Sequence, residues 1–274
     1  MSPNSPEWQA YLWPSDTDPG AVVLRNKFGT RDPEELRDLE YVETAMRQAE
    51  LESGEVQIAR TGDGAEWRAI HHHLFQDVYD WAGQYRTVDL NKTGEPFLAA
   101  RAMDPYLHSS LTQVRQVDWS SLDREQFVDA AAHAYMQLNF AHPFREGNGR
   151  SSRLFLDSLT ADARFTLDYS RVDADRWNEA SRATMNAVYQ LPADHTPLVA
   201  VFDAITVDRD PHPGAEAEPD AQLAADIARV QKALRAQSPR PARAVLRPGR
   251  NTTAAAAAGE VAPAMPEHDT GYER

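Results

Sequence analysis

The 274-residue chain contains no cysteine. That excludes disulfides, thiolate metal sites and thiol nucleophiles, and it fits a reducing compartment. No apolar run approaches the roughly 20 residues that a membrane-spanning helix needs. The opening stretch MSPNSPEWQAYLWPSD lacks both the basic and the apolar region of a signal peptide. A cytoplasmic protein with no membrane partner is therefore expected; delivery into a host would call for a secretion domain, which the short polar C-terminal stretch does not resemble. Lysine occurs only at Lys27, Lys92 and Lys232, whereas arginine is plentiful, a bias that genomic base composition accounts for. Net positive charge is also missing. With 42 acidic against 28 basic residues the formal charge is -14, which argues against a sequence-independent grip on nucleic acid but not against a local anion site.

What is present is helical periodicity. TRDPEELRDLEYVETAMRQAE predicts a helix capped by Asp32, with Pro33 at its first position and Glu35 completing a capping box. EWRAIHHHLFQDVYDWAG places Trp67, Ile70, Leu74, Val78 and Trp81 on one face, with Gly83 as the stop. His71, His72 and His73 point three ways from such a helix, which argues against a metal cluster. YRTVDLNKTGEPF reads as a hairpin or flap. Further helices are expected after Pro105, over REQFVDAAAHAYMQLNFA, RSSRLFLDSLTADA, DADRWNEASRATMNAVYQ and TPLVAVFDAIT. From about residue 210 the chain becomes rich in proline and acid, then low in complexity. This predicts one all-helical domain with a small hairpin over 8–209. A mostly disordered tail over 210–274 follows, with one isolated helix at 221–236.

The densest chemistry lies in HPFREGNGRSSR, His142 to Arg153. Pro143 stops the preceding helix, and Gly147, Asn148 and Gly149 fall at the start of the next. A helix N-terminus offers unpaired N–H groups and a positive dipole end, and glycines let an anion approach closely. Arg150 and Arg153, three apart, supply guanidinium forks suited to a polyphosphate. Glu146 beside such a cradle implies a bridging cation, and Mg²⁺ is the usual one. His142 is placed to take a proton from an incoming hydroxyl. Arg145 has no evident task and is expected to be exposed. The reaction class implied is transfer of part of a nucleotide onto a hydroxyl.

These residues resemble the signature of Fic-domain proteins, His-x-Phe-x-(Asp/Glu)-Gly-Asn-Gly-Arg-x-x-Arg, with every defining position filled. The upstream stretches YLWPSD, VLRNKFGTRDPEEL, AIHHHLFQDVYDWAGQYR and NKTGEPF also resemble Fic domains of bacterial toxins and type IV secretion effectors. The resemblance implies a helical fold and protein adenylylation, in which AMP passes from ATP to a Ser, Thr or Tyr hydroxyl of a target protein. It implies His142 as general base, Phe144 as apolar anchor of the loop and Glu146 as the Mg²⁺ ligand. Gly147, Asn148 and Gly149 would form the anion hole, and Arg150 and Arg153 would contact the β- and γ-phosphates. A target-registering flap would span about Asn91–Phe97, with Lys92 and Thr93 facing nucleotide or target.

Many members of this family are held inactive by a helix bearing (Ser/Thr)-x-x-x-Glu-(Gly/Asn). Within these 274 residues only Glu146 is followed by Gly or Asn, so restraint is expected from a small antitoxin-like protein in trans. Two alternatives remain at this stage. One is transfer from another donor (UMP, GMP, phosphocholine or phosphoryl) by the same site. The other is a non-enzymatic nucleotide-binding adaptor, against which an intact His142 argues.

Overall fold

The computed structural model describes residues 5–92, 95–185 and 194–209. Helix α1 (Pro6–Gln9) leads into a hairpin of β1 (Leu12–Pro14) and β2 (Val22–Leu24), then α2 (Pro33–Glu52) and α3 (Gly64–Phe75). A second hairpin, β3 (Asn91–Lys92) with β4 (Glu95–Pro96), precedes α4 (Met103–Arg115), α5 (Arg124–Ala141) and α6 (Asn148–Leu159). Strand β5 (Phe165–Leu167), α7 (Ala174–Ala183), α8 (Thr196–Ile205) and β6 (Thr206–Asp208) complete the described chain. The mostly helical fold and the flap hairpin are as expected. The tail over 210–274, with its helix at 221–236, lies outside the described residues, as does Thr93 of the flap.

Two strand pairs were not legible in advance. β1 pairs antiparallel with β2 (Trp13 opposite Val23), and β5 with β6 (Thr166 opposite Val207). Each strand has three residues, too few for alternation to register as a pattern. Their effect is to tie the N-terminal segment into a hairpin and to pin the chain after α8 against the loop after α6.

Helix α5 is the axis of the molecule. It starts on a capping box, Asp123 with Gln126, and packs against α4, α6 and α8. Phe127, Ala131, Ala134, Tyr135 and Leu138 are all buried on it, and its alanines let neighbouring helices approach closely. Helix α3 packs on α2 and α6, so the α5–α6 connection is enclosed from two sides.

Several boundaries moved. Asp32 does cap α2, accepting from the N–H groups of Glu34 (2.8 Å) and Glu35 (3.3 Å). The capping box fails, however, because the Glu35 carboxylate takes the Thr30 hydroxyl, and Thr30 Oγ1 accepts the Asp32 N–H at 3.2 Å. Helix α3 ends at Phe75, not at Gly83. The N–H groups of Val78 and Tyr79 both turn back to the Phe75 carbonyl at 2.9 Å, which frees the chain to carry Gly83 to the His71 ring. Helix α4 begins two residues before Pro105, whose missing N–H costs nothing in a first turn.

Candidate active site

The segment 142–153 is held by its own side chains before it meets any ligand. His142 ends α5 in the left-handed region (φ 41°, ψ 58°), the one non-glycine residue with positive φ among the described residues. Phe144 then drops into the core with no exposed surface, against His71 (ring centroids 3.8 Å apart), Trp67 (5.6 Å) and Tyr85 (5.8 Å). Asn148 closes the loop: its Oδ1 accepts the Phe144 N–H at 2.8 Å and its Nδ2 donates to the Phe144 carbonyl at 2.9 Å. The amide of Asn148 is thus a loop staple, and its contribution to any anion hole comes through the backbone. Gly147 is required twice over. Its φ is +79°, and a Cβ there would lie 2.2 Å from the Phe75 ring.

His71 braces the loop from α3. Its Nδ1 accepts the Gly83 N–H at 2.9 Å, so its Nε2 is the donor to the Glu146 carbonyl at 2.9 Å. Burial pushes its pKa down to about 3, which keeps the ring neutral. The three consecutive histidines diverge as expected. His73 is buried with its Nε2 3.1 Å from both the Arg47 carbonyl and the Glu50 carboxylate, His72 is exposed, and no metal-ligand cluster occurs among the described residues.

The two motif arginines have different surroundings. Arg150 turns toward α2: Nη2 donates to Glu40, Nη1 donates to Thr44 Oγ1 at 2.9 Å, and the guanidinium lies 4.7 Å over the Phe75 ring. The pair is largely enclosed, at 16 % and 13 % side-chain exposure for Arg150 and Glu40. Glu40 also accepts the Tyr79 hydroxyl. Arg153 lies 5.7 Å from the Tyr169 ring, and among the described residues no carboxylate comes within ion-pair distance of it. Arg145, expected to be exposed, is half-buried under Trp8 at 4.8 Å, and burial lowers its pKa.

Electrostatics mark the same place. Burial raises the Glu146 carboxyl pKa, the Glu40 charge raises it further, and Arg150 opposes both. Helix α6 has Gly147 at its N-cap position, no side-chain cap and no acidic residue in its first turn. By contrast, α2, α3, α5 and α7 each start with an aspartate side chain accepting their first amides. Helices α1, α4 and α8 also lack a side-chain cap, so what sets the N-terminus of α6 apart is its surroundings. It opens on a recess lined by Tyr135, Leu138, Asn139, His142, Asn148, Gly149 and Ser152. An imidazole and a helix N-terminus face this common space, with a carboxyl two residues before the helix and Arg153 one turn along it. That arrangement suits proton removal beside a bound anion.

Sequence reasoning missed the residues that support this site. Glu40, Thr44, Tyr79, Arg86 and Tyr169 are ordinary members of helices or loops far from the motif in sequence. The stretch DWAGQYR carries Arg86, but a single arginine in an arginine-rich chain gives no signal of its burial at 3 % exposure.

The chain is similar to known proteins at the level of family, of sequence and of structure. The Fic/DOC family model matches residues 63–160. The probable protein adenylyltransferase Fic of Escherichia coli (strain K12) is 30 % identical over 166 residues, covering 60 % of this chain and 81 % of that protein. The protein adenylyltransferase VbhT of Bartonella schoenbuchensis is 34 % identical over 174 residues, covering 63 % of this chain and 35 % of its own length. Among solved structures, the VirB-translocated effector BepC of Bartonella tribocorum with bound AMPPNP superposes with a TM-score of 0.64. It is 25 % identical, over 74 % of this chain and 98 % of that one.

Proposed function

The chain belongs to the Fic/DOC family, and on that premise we propose that it transfers AMP from ATP to a Ser, Thr or Tyr hydroxyl of a target protein. The observation that carries this reading is the recess at the N-terminus of α6, lined by His142, Asn148 and Gly149, with Glu146 and Arg153 on either side of it in sequence. In the reaction the target oxygen bonds to the α-phosphorus, the bond from that phosphorus to the bridging oxygen breaks, and pyrophosphate leaves with the electron pair. His142 takes the hydroxyl proton. The Gly147, Asn148 and Gly149 amides and Arg153 hold phosphate oxygens, and Arg150 adds its charge from its seat on Glu40. Lys92 and Thr93 of the flap register nucleotide or target. The nucleotide analogue bound by BepC supports a nucleotide in this recess.

Glu146 fits a Mg²⁺ ligand. It is a hard oxygen donor whose charged form is disfavoured by burial and by Glu40, so a cation there relieves both. No protein cage of three or more ligands occurs among the described residues, which matches the habit of Mg²⁺ of binding one or two carboxylates together with phosphate oxygens and water. The ion would neutralise charge on the phosphates and orient them.

Because no (Ser/Thr)-x-x-x-Glu-(Gly/Asn) segment occurs in these residues, restraint comes from a separate small protein whose glutamate pairs with Arg153. The test of the function is incubation with cell lysate and ATP labelled at the α- or the γ-phosphate. Label should pass to protein from the α-position alone. Transfer from the γ-position would make the enzyme a kinase, and no transfer from either would remove the activity.

A further inference from the structure

The flap reaches His142 directly. Phe97, just after β4, is 7 % exposed, and its ring lies on the His142 imidazole with centroids 3.8 Å apart and planes within 15°. The Phe97 N–H donates to the Leu90 carbonyl at 3.0 Å, and the Leu98 N–H donates to the Phe140 carbonyl at 3.1 Å. The outgoing stem of the hairpin is therefore tied both to its incoming stem and to the end of α5. Phe97, Phe140 and Met185 form a small apolar cluster apart from the main core, with Leu90, Leu98 and Tyr106 packed on it.

Arg86 ties the same parts together from below. Its Nε donates to the His142 carbonyl at 2.7 Å, its Nη1 to Val88 at 2.6 Å, and its Nη2 to Leu98 and to Ala141, the latter at 3.3 Å. Its backbone N–H donates to the Pro143 carbonyl at 2.8 Å. Val88 and Leu98 are the two stems of the hairpin, while Ala141, His142 and Pro143 are the turn that presents the imidazole. Burial disfavours the Arg86 charge and the nearby Asp89 carboxylate favours it. Here the donors are spent on the carbonyls that frame His142. A non-glycine residue holds a left-handed conformation only where its surroundings over-determine it, and these bonds do so.

We propose that Phe97 and Arg86 are positioning residues through which the flap fixes the orientation of the His142 imidazole. A target segment that seats on the hairpin then acts on the base as well as on its own register. The proposal rests on reading His142 as the general base, so the experiment has one arm that does not depend on activity. In that arm, NMR of the His142 ring protons should show an upfield ring-current displacement and a contact to Phe97. Phe97→Leu should lose both, Phe97→Tyr should keep them, and Arg86→Lys, whose ammonium cannot span four carbonyls, should broaden or shift them.

In the activity arm, Phe97→Leu should lower kcat for transfer by roughly ten- to a hundred-fold, the scale expected for a misplaced reacting group. KM for ATP should be unchanged, and Phe97→Tyr should restore most of the rate. The proposal is overturned if Phe97→Leu transfers at the wild-type rate, if Phe97→Tyr is as impaired as Phe97→Leu, or if only KM for ATP changes. Should the wild-type chain transfer nothing, the functional reading fails and the NMR arm decides alone. Positioning stands if Arg86→Lys, with the Phe97 ring in place, displaces the His142 signals and Phe97→Leu alters the contacts of the His142 ring to residues other than 97, and it falls if either variant leaves these where they were.

Discussion

The two sides of the segment 142–153 follow different rules. On the inner side polar groups are matched by protein: Asn148 by the Phe144 backbone, Arg150 by Glu40 and Thr44, the Glu146 carbonyl by His71 and the His142 carbonyl by Arg86. On the outer side the α6 N-terminus has no side-chain cap, and Arg153 rests on an aromatic ring. One short pattern therefore answers two demands. The Phe144, Asn148 and Arg150 side chains and the bare Gly147 build a rigid support, and in the proposed function His142, Glu146, Arg153 and the backbone amides from Gly147 to Gly149 face what binds there.

The largest effect that would sharpen this division is on chemistry. His142→Ala should cut transfer by about 10²–10⁴-fold, the usual contribution of a general base, with binding of an ATP analogue retained. Near wild-type transfer by this variant would move His142 to the supporting side. Next comes the clamp. Arg150→Ala leaves Glu40 enclosed without its counter-charge and should cost about 3–5 kcal/mol of stability in urea unfolding. An unchanged midpoint would mean that the pair is not formed. Asn148→Ala strands a buried N–H and a buried carbonyl of Phe144, so a smaller loss of about 1–3 kcal/mol is expected by the same measurement.

A separate effect is a pH dependence on the outer side. Burial pushes the Asp157 carboxyl up to about 7, opposed by the hydrogen bond from Tyr169 and the charge of Arg153. An unfolded aspartate titrates near ~4. Between these values the folded chain holds a proton that the unfolded chain has released, so stability falls as pH rises from about 4 to about 7. Asp157→Asn should flatten the dependence of Tm on pH across that window, and an unaltered slope would show that Asp157 is not its source.

Much of this molecule could be read in advance because its signals are local. Helix α5 was bounded at Arg124 and Ala141 by its spacing of apolar residues, and Asp32 and Pro33 announced the start of α2. The motif gathers its candidate functional groups into twelve consecutive residues, so their proximity needs no tertiary inference. What escaped was set by contacts distant in sequence. The early end of α3 follows from where Gly83 must go, and the failed capping box follows from the hydroxyl of Thr30. The seat of Arg150 on Glu40 joins residues 110 positions apart, and nothing in either neighbourhood marks it. For the same reason the sequence groups Arg150 with Arg153, whereas the fold gives them different partners.

That separation is tested most directly by thermal unfolding with and without a non-hydrolysable ATP analogue and Mg²⁺, on Arg150→Met and Arg153→Ala side by side. Arg150→Met keeps an apolar stem over Phe75 but removes the clamp. It should melt well below wild type and still gain stability from the analogue, by the mass-action stabilisation any native-state ligand gives. Arg153→Ala should melt near wild type and gain little. The opposite pattern, in which the analogue still stabilises Arg153→Ala and no longer stabilises Arg150→Met, would contradict the account.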